Sequence, residues 1–223
     1  YCLQPLIPEF SREFQVSPAV ASLSLSLATV SLAFAMLGVA WISNSLGRKQ
    51  LMSAALFSSA VLAILVAFSP NFTLLLVIRV LQGAVLAGFP AIAMAYINEE
   101  FAPDCAGLAM GIYVSGTAIG GMLGRMLMGA LTDLFSWHVA LALVGVISLA
   151  VSLWFWVSLP ASRHFSPCSQ SGRERLQALK RNMAQPALYS LYAVGFLLLG
   201  SFVALYNYIG YVLMAAPYYL SQT

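Results

Sequence analysis

Six long apolar stretches constrain this sequence more than any other feature. They cover approximately residues 20–43, 51–69, 73–97, 106–131, 139–159 and 187–209. A helix needs about 20 apolar residues to cross roughly 30 Å of hydrocarbon, and each stretch is close to that length. Each stretch is also continuously apolar, whereas the strands of a membrane barrel alternate apolar with polar residues. The sequence therefore predicts an all-α, polytopic membrane protein with the lipid bilayer as its solvent.

The composition argues against the common classes of soluble protein. Of the 223 residues, 61% are hydrophobic and 8% are charged, against about 45–50% and about 25% in a soluble domain. A soluble enzyme, a disordered chain and a nucleic-acid-binding domain are therefore disfavoured. Because the chain begins at Tyr1 rather than at a methionine, we expect it to be a fragment of a longer membrane protein.

The basic residues predict how the spans are oriented. Seven of the ten cations lie in the loops 43–50 and 160–186, and the opposite side carries only Arg12. An excess of Lys and Arg marks the cytoplasmic side of a membrane protein. The loops 43–50, 98–105 and 160–186 are therefore predicted to be cytoplasmic.

The sequence patterns of metal sites and nucleotide sites are missing. We find no HExxH, no GxxxxGK[ST] and no CxxC pattern, and the two histidines, His138 and His164, lie far apart. We therefore predict no catalytic residue, no metal site, no cofactor and no enzymatic activity. Transport by such a chain would draw its energy from another source, such as an ion gradient.

The third stretch contains a basic residue, Arg79, about two turns from its outer end. An arginine at this depth is costly unless it faces protein or water, and it is therefore a functional candidate by default. Gln82 and Gly83 follow at i+3 and i+4 on the same helical face. The alternative is that Arg79 extends outward to the lipid headgroups.

The fourth stretch carries glycines every four or five residues: Gly107, Gly111, Gly116, Gly120 and Gly124. Small residues at this spacing let two membrane helices pack backbone against backbone. A second intramembrane base, Arg125, follows directly. It either extends outward or pairs with Asp133 near the outer surface.

Polar and aromatic residues near two spans have two interpretations each. Ser22, Ser26 and Thr29 share one face of the first stretch, where they either line a polar cavity or bond to their own helix or a neighbour. Asn207 and the tyrosines around it either contact substrate or belong to an interfacial aromatic belt. Trp137 and Trp156 also lie near span ends and are expected in the headgroup zone.

The loop after the first stretch contains Gly47, Arg48 and Lys49. A tight turn here needs a glycine with positive φ, and bases on the cytoplasmic side determine topology. This local pattern is explained by topology alone.

Taken in order, the Gly-Arg-Lys turn, the Arg-x-x-Gln-Gly sequence and the glycine stripe resemble the major facilitator superfamily. The likeness is to its proton-coupled efflux branch, and to bacterial inner-membrane proteins often labelled arabinose-efflux-permease-like. In the cytoplasmic motif Gly-x-x-x-Asp-Arg-x-Gly-Arg-Lys, the last three residues match, while Ala40, Asn44 and Ser45 replace Gly, Asp and Arg. In the antiporter motif the matching glycines are Gly107, Gly116, Gly120 and Gly124, and Gly121 replaces the proline.

The resemblance implies a partial helical bundle that runs from the tail of span 1 to span 7 of twelve. Residues 1–159 would belong to the N-terminal six-helix half, 160–186 to the cytoplasmic linker, and 187–223 to the first helix and outer loop of the second half. Inverted repeats within each half are typical of this architecture.

The resemblance also implies roles for single residues. Arg79, with Gln82 and Gly83, would line the central cavity and take part in proton coupling, with a partner carboxylate often found in span 1. Arg48 and Lys49 would pair with Glu99 or Glu100 and hold the cytoplasmic gate shut, although Asn44 lacks the charge of the family's Asp. The glycines would pack against the second half.

The function predicted on this basis is secondary active transport by alternating access, with proton-driven export of a drug, sugar or similar metabolite. One alternative is a proton symporter for uptake of a sugar or organic acid. Another is a membrane sensor that does not transport. The expected partners are a small-molecule substrate, protons and the bilayer of the bacterial inner membrane, with no nucleic acid, and the full-length protein is expected to be monomeric. Possible substrate-lining residues are Ser26, Thr29, Arg125 and Asn207.

Overall fold

The computed structural model describes residues 2–42, 47–160, 162, 177, 180–182 and 184–214. Within these ranges the regular elements are all helical. After a 3₁₀ turn at Gln4–Leu6, the helices are α1 (Ile7–Glu13), α2 (Pro18–Ala21), α3 (Leu23–Ile42), α4 (Arg48–Ala67), α5 (Phe72–Leu86), α6 (Pro90–Glu100), α7 (Pro103–Leu134), α8 (Trp137–Ser158) and α9 (Pro186–Met214).

Among the described residues, six segments are long and apolar enough to cross a membrane, which confirms the predicted fold class. They are Pro18–Val39, Arg48–Ala67, Phe72–Glu100, Pro103–Leu134, Trp137–Ser158 and Leu188–Tyr206, with mean hydropathies of 1.4–2.3. Along the chain, α3, the α5–α6 pair and α8 each finish at the end of the bundle where Arg48 lies. We call this end the Arg48 end. The opposite end is called the Trp137 end.

Several predicted boundaries were wrong because local chemistry extends the helices. Arg48 and Lys49 were placed in a loop over 43–50 but lie in the first turn of α4. The loop predicted over 98–105 is reduced to Phe101 and Ala102, because Pro103 starts α7 with its fixed φ. The spans predicted at 20–43, 106–131 and 139–159 also start earlier, and the start of α8 is capped by Ser136.

The third span, predicted as continuous over 73–97, is broken. The helix stops at Leu86 and resumes at Pro90. Proline has no N–H for the carbonyl of Leu86, and its ring crowds that carbonyl. The amide of Phe89 bonds to Leu86 instead, at 3.1 Å. A kink therefore separates the half-span with Arg79 from the half-span with Glu99.

Two helix pairs are held together by glycines at close approach. A Cβ at Gly83 of α5 would overlap the backbone carbonyl of Ala28 in α3. A Cβ at Gly145 of α8 would lie 2.5 Å from a side-chain carbon of Ile64 in α4. In a bilayer, such backbone proximity supplies the van der Waals packing that joins helices.

The N-terminal segment is wedged into the Trp137 end of the bundle. Leu6, Ile7 and Phe10 are almost fully buried and share a core with residues of α4, α5, α7 and α8. Trp137 belongs to this core at 4% exposure, with its ring edge-on to Phe10. Its indole N–H donates to the carboxylate of Glu13, so Trp137 is a core residue whose polar tip has a partner inside the protein, and its position in the headgroup zone stays a prediction.

Candidate functional site

Arg79 is buried within the bundle. Its exposure is 7%, and it lies seven residues, or about 10 Å, from the start of α5 at the Trp137 end. Its Nη1 donates to Oε1 of Gln82 at 2.6 Å, and Nε2 of Gln82 donates to the carbonyl oxygen of Ser59 in α4 at 3.0 Å. The side chain is therefore held by a polar chain inside the protein and does not extend to the headgroups.

The rest of the Arg79 guanidinium is without hydrogen bonds. Its Nε and Nη2 atoms are buried and have no partner among the described residues. A buried donor without a partner costs roughly 1–3 kcal/mol, and more when it is charged. The arrangement leaves two nitrogen donors, Nε and Nη2, on the guanidinium, for which a carboxylate is the best complement.

The close contact of α5 with α3 explains why the Arg-x-x-Gln-Gly sequence ends in a glycine, Gly83. Since a Cβ at this position would overlap Ala28, only glycine permits the contact of α5 with α3. The same interface contains a hydrogen bond in which Ser31 Oγ donates to the carbonyl of Val80 at 2.7 Å. Arg79 is thus presented from a helix whose position is tightly defined.

At the Arg48 end, α4 and α6 are joined by an ion pair. Arg48 donates through Nη2 and Nε to the two carboxylate oxygens of Glu99, at 2.7 and 3.2 Å. The Arg48 side chain is 11% exposed and that of Glu99 is 31% exposed. This fork-to-fork geometry is stronger than a single contact, and it also offsets the unfavourable position of a cation at a helix N-terminus.

The other residues of the predicted gate motif are only partly described. Gly47 has φ −56° and ψ 141°, a conformation that any residue adopts, so the predicted positive φ was wrong. Nothing in the structure explains a glycine there. Asn44 lies outside the described residues, and Lys49 is half-buried in the first turn of α4.

The glycine stripe of α7 faces open space. A Cβ added at Gly107, Gly116, Gly120 or Gly121 would meet no described atom within 4 Å. At Gly124 it would lie 3.7 Å from the Cβ of Cys2. The stripe therefore approaches the N-terminal segment only at its last member.

Arg125 joins three elements. Its Nε donates to Oε1 of Gln4 at 2.7 Å, and its guanidinium carbon lies 4.6 Å from the ring centroid of Tyr206 and 5.5 Å from that of Phe202. A cation over an aromatic face is stabilised by the ring quadrupole, more strongly where water is excluded. Arg125 thus connects α7 with both the N-terminal segment and α9.

The remaining candidates give a mixed result. Thr29 Oγ1 donates to the carbonyl of Leu25 in its own helix at 3.0 Å, which is the local bonding offered as the alternative to a cavity. Ser26 is exposed on α3. The side chain of Asn207 lies outside the described residues.

Some contacts of the site could not be found from the sequence. Gln4 and Arg125 are 121 positions apart, and neither lies in a pattern that indicates the other. Ser59 contributes a backbone oxygen, which has no sequence signature. The rings of Phe202 and Tyr206 are spaced at i and i+4, which marks a common face but not its partner.

A second unforeseen group of contacts lies at the Arg48 end. The hydroxyl of Ser162 donates to Glu100 at 2.6 Å, and Tyr96 donates to the carbonyl of Pro160 at 3.3 Å. The segment that follows α8 is therefore held against α6.

Comparison with known proteins decides the family. The model of the family described as Major Facilitator Superfamily matches residues 1–223. The chain belongs to the major facilitator superfamily. This major facilitator chain is a multi-pass membrane protein of a transporter family rather than an enzyme.

Relatives of this major facilitator chain carry transporter names. It is 48% identical over its whole length to the uncharacterized MFS-type transporter YybF of Bacillus subtilis, of which it covers 55%. It is 42% identical to the inner membrane transport protein YnfM of Escherichia coli, of which it covers 53%. A more distant relative is the chloramphenicol resistance protein CraA of Acinetobacter baumannii, 30% identical over 70% of this chain and 37% of CraA. The chain thus spans about half the length of the first two relatives.

Proposed function

We propose that the protein is a secondary transporter of the bacterial inner membrane that exports a small solute, such as a drug, a sugar or a similar metabolite, by proton antiport. The observation that carries the proposal is the Arg79 guanidinium, buried in a membrane span with Nε and Nη2 unpartnered among the described residues. The inner membrane location agrees with the printed name of YnfM, an inner membrane transport protein, and a drug as the solute agrees with the printed name of CraA, a chloramphenicol resistance protein.

Arg79 offers a physical route to proton coupling. A guanidinium stabilises the ionised form of a carboxylate that faces it and so releases that carboxylate's proton. When the two are separated by solute or by movement, the carboxylate takes the proton back. No described carboxylate forms an ion pair with Arg79, so the proposal assigns the proton carrier to another part of the whole protein.

Alternating access requires that contacts at one end of the protein break when the other end closes. We place residues 1–159 in the first half, 160–186 in the cytoplasmic linker and 187–223 in the second half. Arg125 then joins the two halves near the Trp137 end, because it lies in α7 while Phe202 and Tyr206 lie in α9. This contact would be present when the outer side is closed and broken when it opens.

The Arg48–Glu99 pair is assigned to the cytoplasmic end, where it joins α4 to α6 within the first half. Its proposed role is to keep the inner ends of these helices together as the gate closes. The glycine stripe of α7 is proposed to pack against helices of the second half, and Ser26, Thr29, Arg125 and Asn207 stay proposals for the solute path.

The test uses the full-length protein in proteoliposomes with an imposed proton gradient. A panel of lipophilic cations, sugars and organic acids is added, and a pH-sensitive dye reports proton flux for wild type, Arg79→Ala and Arg79→Lys. Arg12→Ala is the matched control, because Arg12 is an exposed arginine paired with Glu9 at 3.3 Å. Solute-dependent flux that falls at least about tenfold in both Arg79 variants and is unchanged in Arg12→Ala supports the proposal.

Other outcomes revise it. Flux that survives in Arg79→Ala removes Arg79 from the coupling path but keeps the transporter. Proton movement in the same direction as the solute replaces antiport with symport. No flux for any solute, in protein shown to be folded, contradicts proton-coupled transport of these classes.

A further inference from the structure

A groove lies between α4 and α8 at the Arg48 end. It has a volume of about 310 Å³ and is lined by Gln50, Ser53 and Phe57 of α4 and by Ser152, Leu153 and Trp156 of α8. Phe57, Leu153 and Trp156 are each about half exposed, at 50%, 52% and 55%. The groove is therefore open at its side and mostly apolar in its walls. None of these residues belongs to the site described above.

The depth of the groove matches one leaflet of a bilayer. Gln50 is the third residue of α4, and Phe57 is seven residues further, or about 10 Å along the axis. Trp156 is two residues before the end of α8 at Ser158. Since half of the hydrocarbon core is about 15 Å thick, the groove extends from the membrane boundary into the leaflet at the Arg48 end.

A polar group in the wall of the groove is unsatisfied. Ser53 is 8% exposed, and its Oγ is buried without a hydrogen-bond partner among the described residues. A serine inside a helix commonly bonds to a carbonyl one turn earlier, as Ser148 does with Val144 at 2.7 Å in α8. Ser53 lacks such a bond, so its hydroxyl can donate to an acceptor in the groove after a rotation about χ1.

A cation, Lys49, lies beside the groove, next to the lining residue Gln50. Lys49 precedes Ser53 by four residues, and the two therefore lie on the same face of α4, one turn apart. Arg48 is directed to Glu99, whereas no described carboxylate forms an ion pair with Lys49. The groove thus has a cation beside it in the first turn of α4, a hydroxyl donor one turn further along the helix, and mostly apolar walls.

We propose that this groove binds one anionic glycerophospholipid from the adjacent leaflet. The phosphate pairs with Lys49 and Gln50, an ester carbonyl accepts a hydrogen bond from Ser53, and an acyl chain lies along Phe57 and Leu153. A second protein helix would supply apolar surface but would leave both Lys49 and the Ser53 hydroxyl without partners. The site does not include Arg79 or Arg125, because its lining residues belong to α4 and α8, whereas Arg79 lies in α5 and Arg125 in α7.

The experiment measures lipid binding to the full-length protein by native mass spectrometry. Phosphatidylglycerol and phosphatidylcholine with identical acyl chains are titrated into detergent-solubilised wild type, Lys49→Gln and Ser53→Ala. Lys180→Gln is the charge control, because Lys180 is an exposed cation far from the groove in sequence. Ser148→Ala is the hydroxyl control.

We expect phosphatidylglycerol to bind wild type about fivefold more tightly than phosphatidylcholine, the effect of one lysine on an anionic lipid. Lys49→Gln should abolish this preference, and Ser53→Ala should weaken the binding of both lipids. Lys180→Gln and Ser148→Ala should bind both lipids as wild type does. Equal affinity for the two lipids in wild type, or the same loss in Lys49→Gln and Lys180→Gln, would overturn the proposal. So would concentration-dependent dimerisation that is lost in Leu153→Arg and is insensitive to phosphatidylglycerol. If Ser53→Ala does not fold, Lys49→Gln still decides, because it changes a partly exposed residue.

Discussion

The guanidinium of Arg125 lies over the ring of Tyr206, 4.6 Å from its centroid, and so ties α7 to the helix that follows the linker. The same side chain holds Gln4 at 2.7 Å. One intramembrane cation therefore connects the N-terminal segment, the glycine-rich helix and α9. The amide oxygen of Gln4 accepts its hydrogen bond, and the π-faces of Phe202 and Tyr206 stabilise its charge.

We expect Tyr206→Leu to loosen this contact, because the leucine side chain has no π-face. A cation–π contact contributes roughly 0.5–2 kcal/mol, enough to shift a two-state equilibrium several-fold. Spin labels at Leu134 and Tyr208, both exposed, would report the separation of α7 and α9 in the full-length protein. The longer-distance population should grow in Tyr206→Leu and stay unchanged in Tyr206→Phe, which keeps the ring. An equal shift in both variants would show that the ring is not what holds α9.

Gly83→Ala should destabilise the protein, because the added Cβ overlaps the carbonyl of Ala28 and forces α5 away from α3. Overpacking of this kind costs roughly 1–3 kcal/mol. The midpoint of thermal unfolding in detergent is the measurement. Gly38→Ala is the control, since a Cβ at Gly38 meets no described atom within 4 Å. Similar midpoints for the two variants would contradict the close contact.

Exchanging the charges of Arg48 and Glu99 tests whether this ion pair stabilises the protein. Arg48→Glu and Glu99→Arg each place two like charges together and should each lower stability by about 1.5–3 kcal/mol, the range for hydrogen bonds between charged groups. The double variant should recover most of the loss, and solute flux should recover with it. The exposed pair Arg12–Glu9 serves as a comparison, and its disruption should change stability by less than about 1 kcal/mol. No recovery in the double variant would exclude a specific pairing.

Trp137→Phe tests whether this tryptophan is a core residue. The phenylalanine keeps an aromatic ring beside Phe10 but removes the N–H that donates to Glu13. We expect a loss of about 1–3 kcal/mol, because a partly buried carboxylate loses a donor. Trp156→Phe, at a ring that is 55% exposed, should have little effect on unfolding. Equal effects would return Trp137 to the interfacial belt.

The sequence predicted correctly those structural features that depend on one contiguous stretch of the chain. The length and continuity of the apolar stretches predicted six spans, because a backbone in hydrocarbon must satisfy its own hydrogen bonds. The helix ends were less predictable. Arg48 and Glu99 were assigned to loops or span ends by their charge, yet both lie in helices, where they pair with each other across 51 residues.

For Arg79, too, some features follow from the local sequence and others depend on the tertiary structure. Its depth in the span and the common face with Gln82 follow from helical periodicity. That two of its guanidinium nitrogens lie buried without partners among the described residues depends on how other helices pack against α5. The reason for Gly83 is likewise the backbone of Ala28, which no local pattern reveals.

By itself, then, the sequence determined the solvent, the number of spans, the family motifs and the depth of the two intramembrane arginines, since hydropathy and periodicity are properties of contiguous residues. Only the tertiary structure decided which groups meet: Arg125 with Gln4 and Tyr206, Trp137 with Glu13, and Ser53 with the groove between α4 and α8. These contacts join residues far apart in the chain, and their geometry comes from the packing of helices against one another.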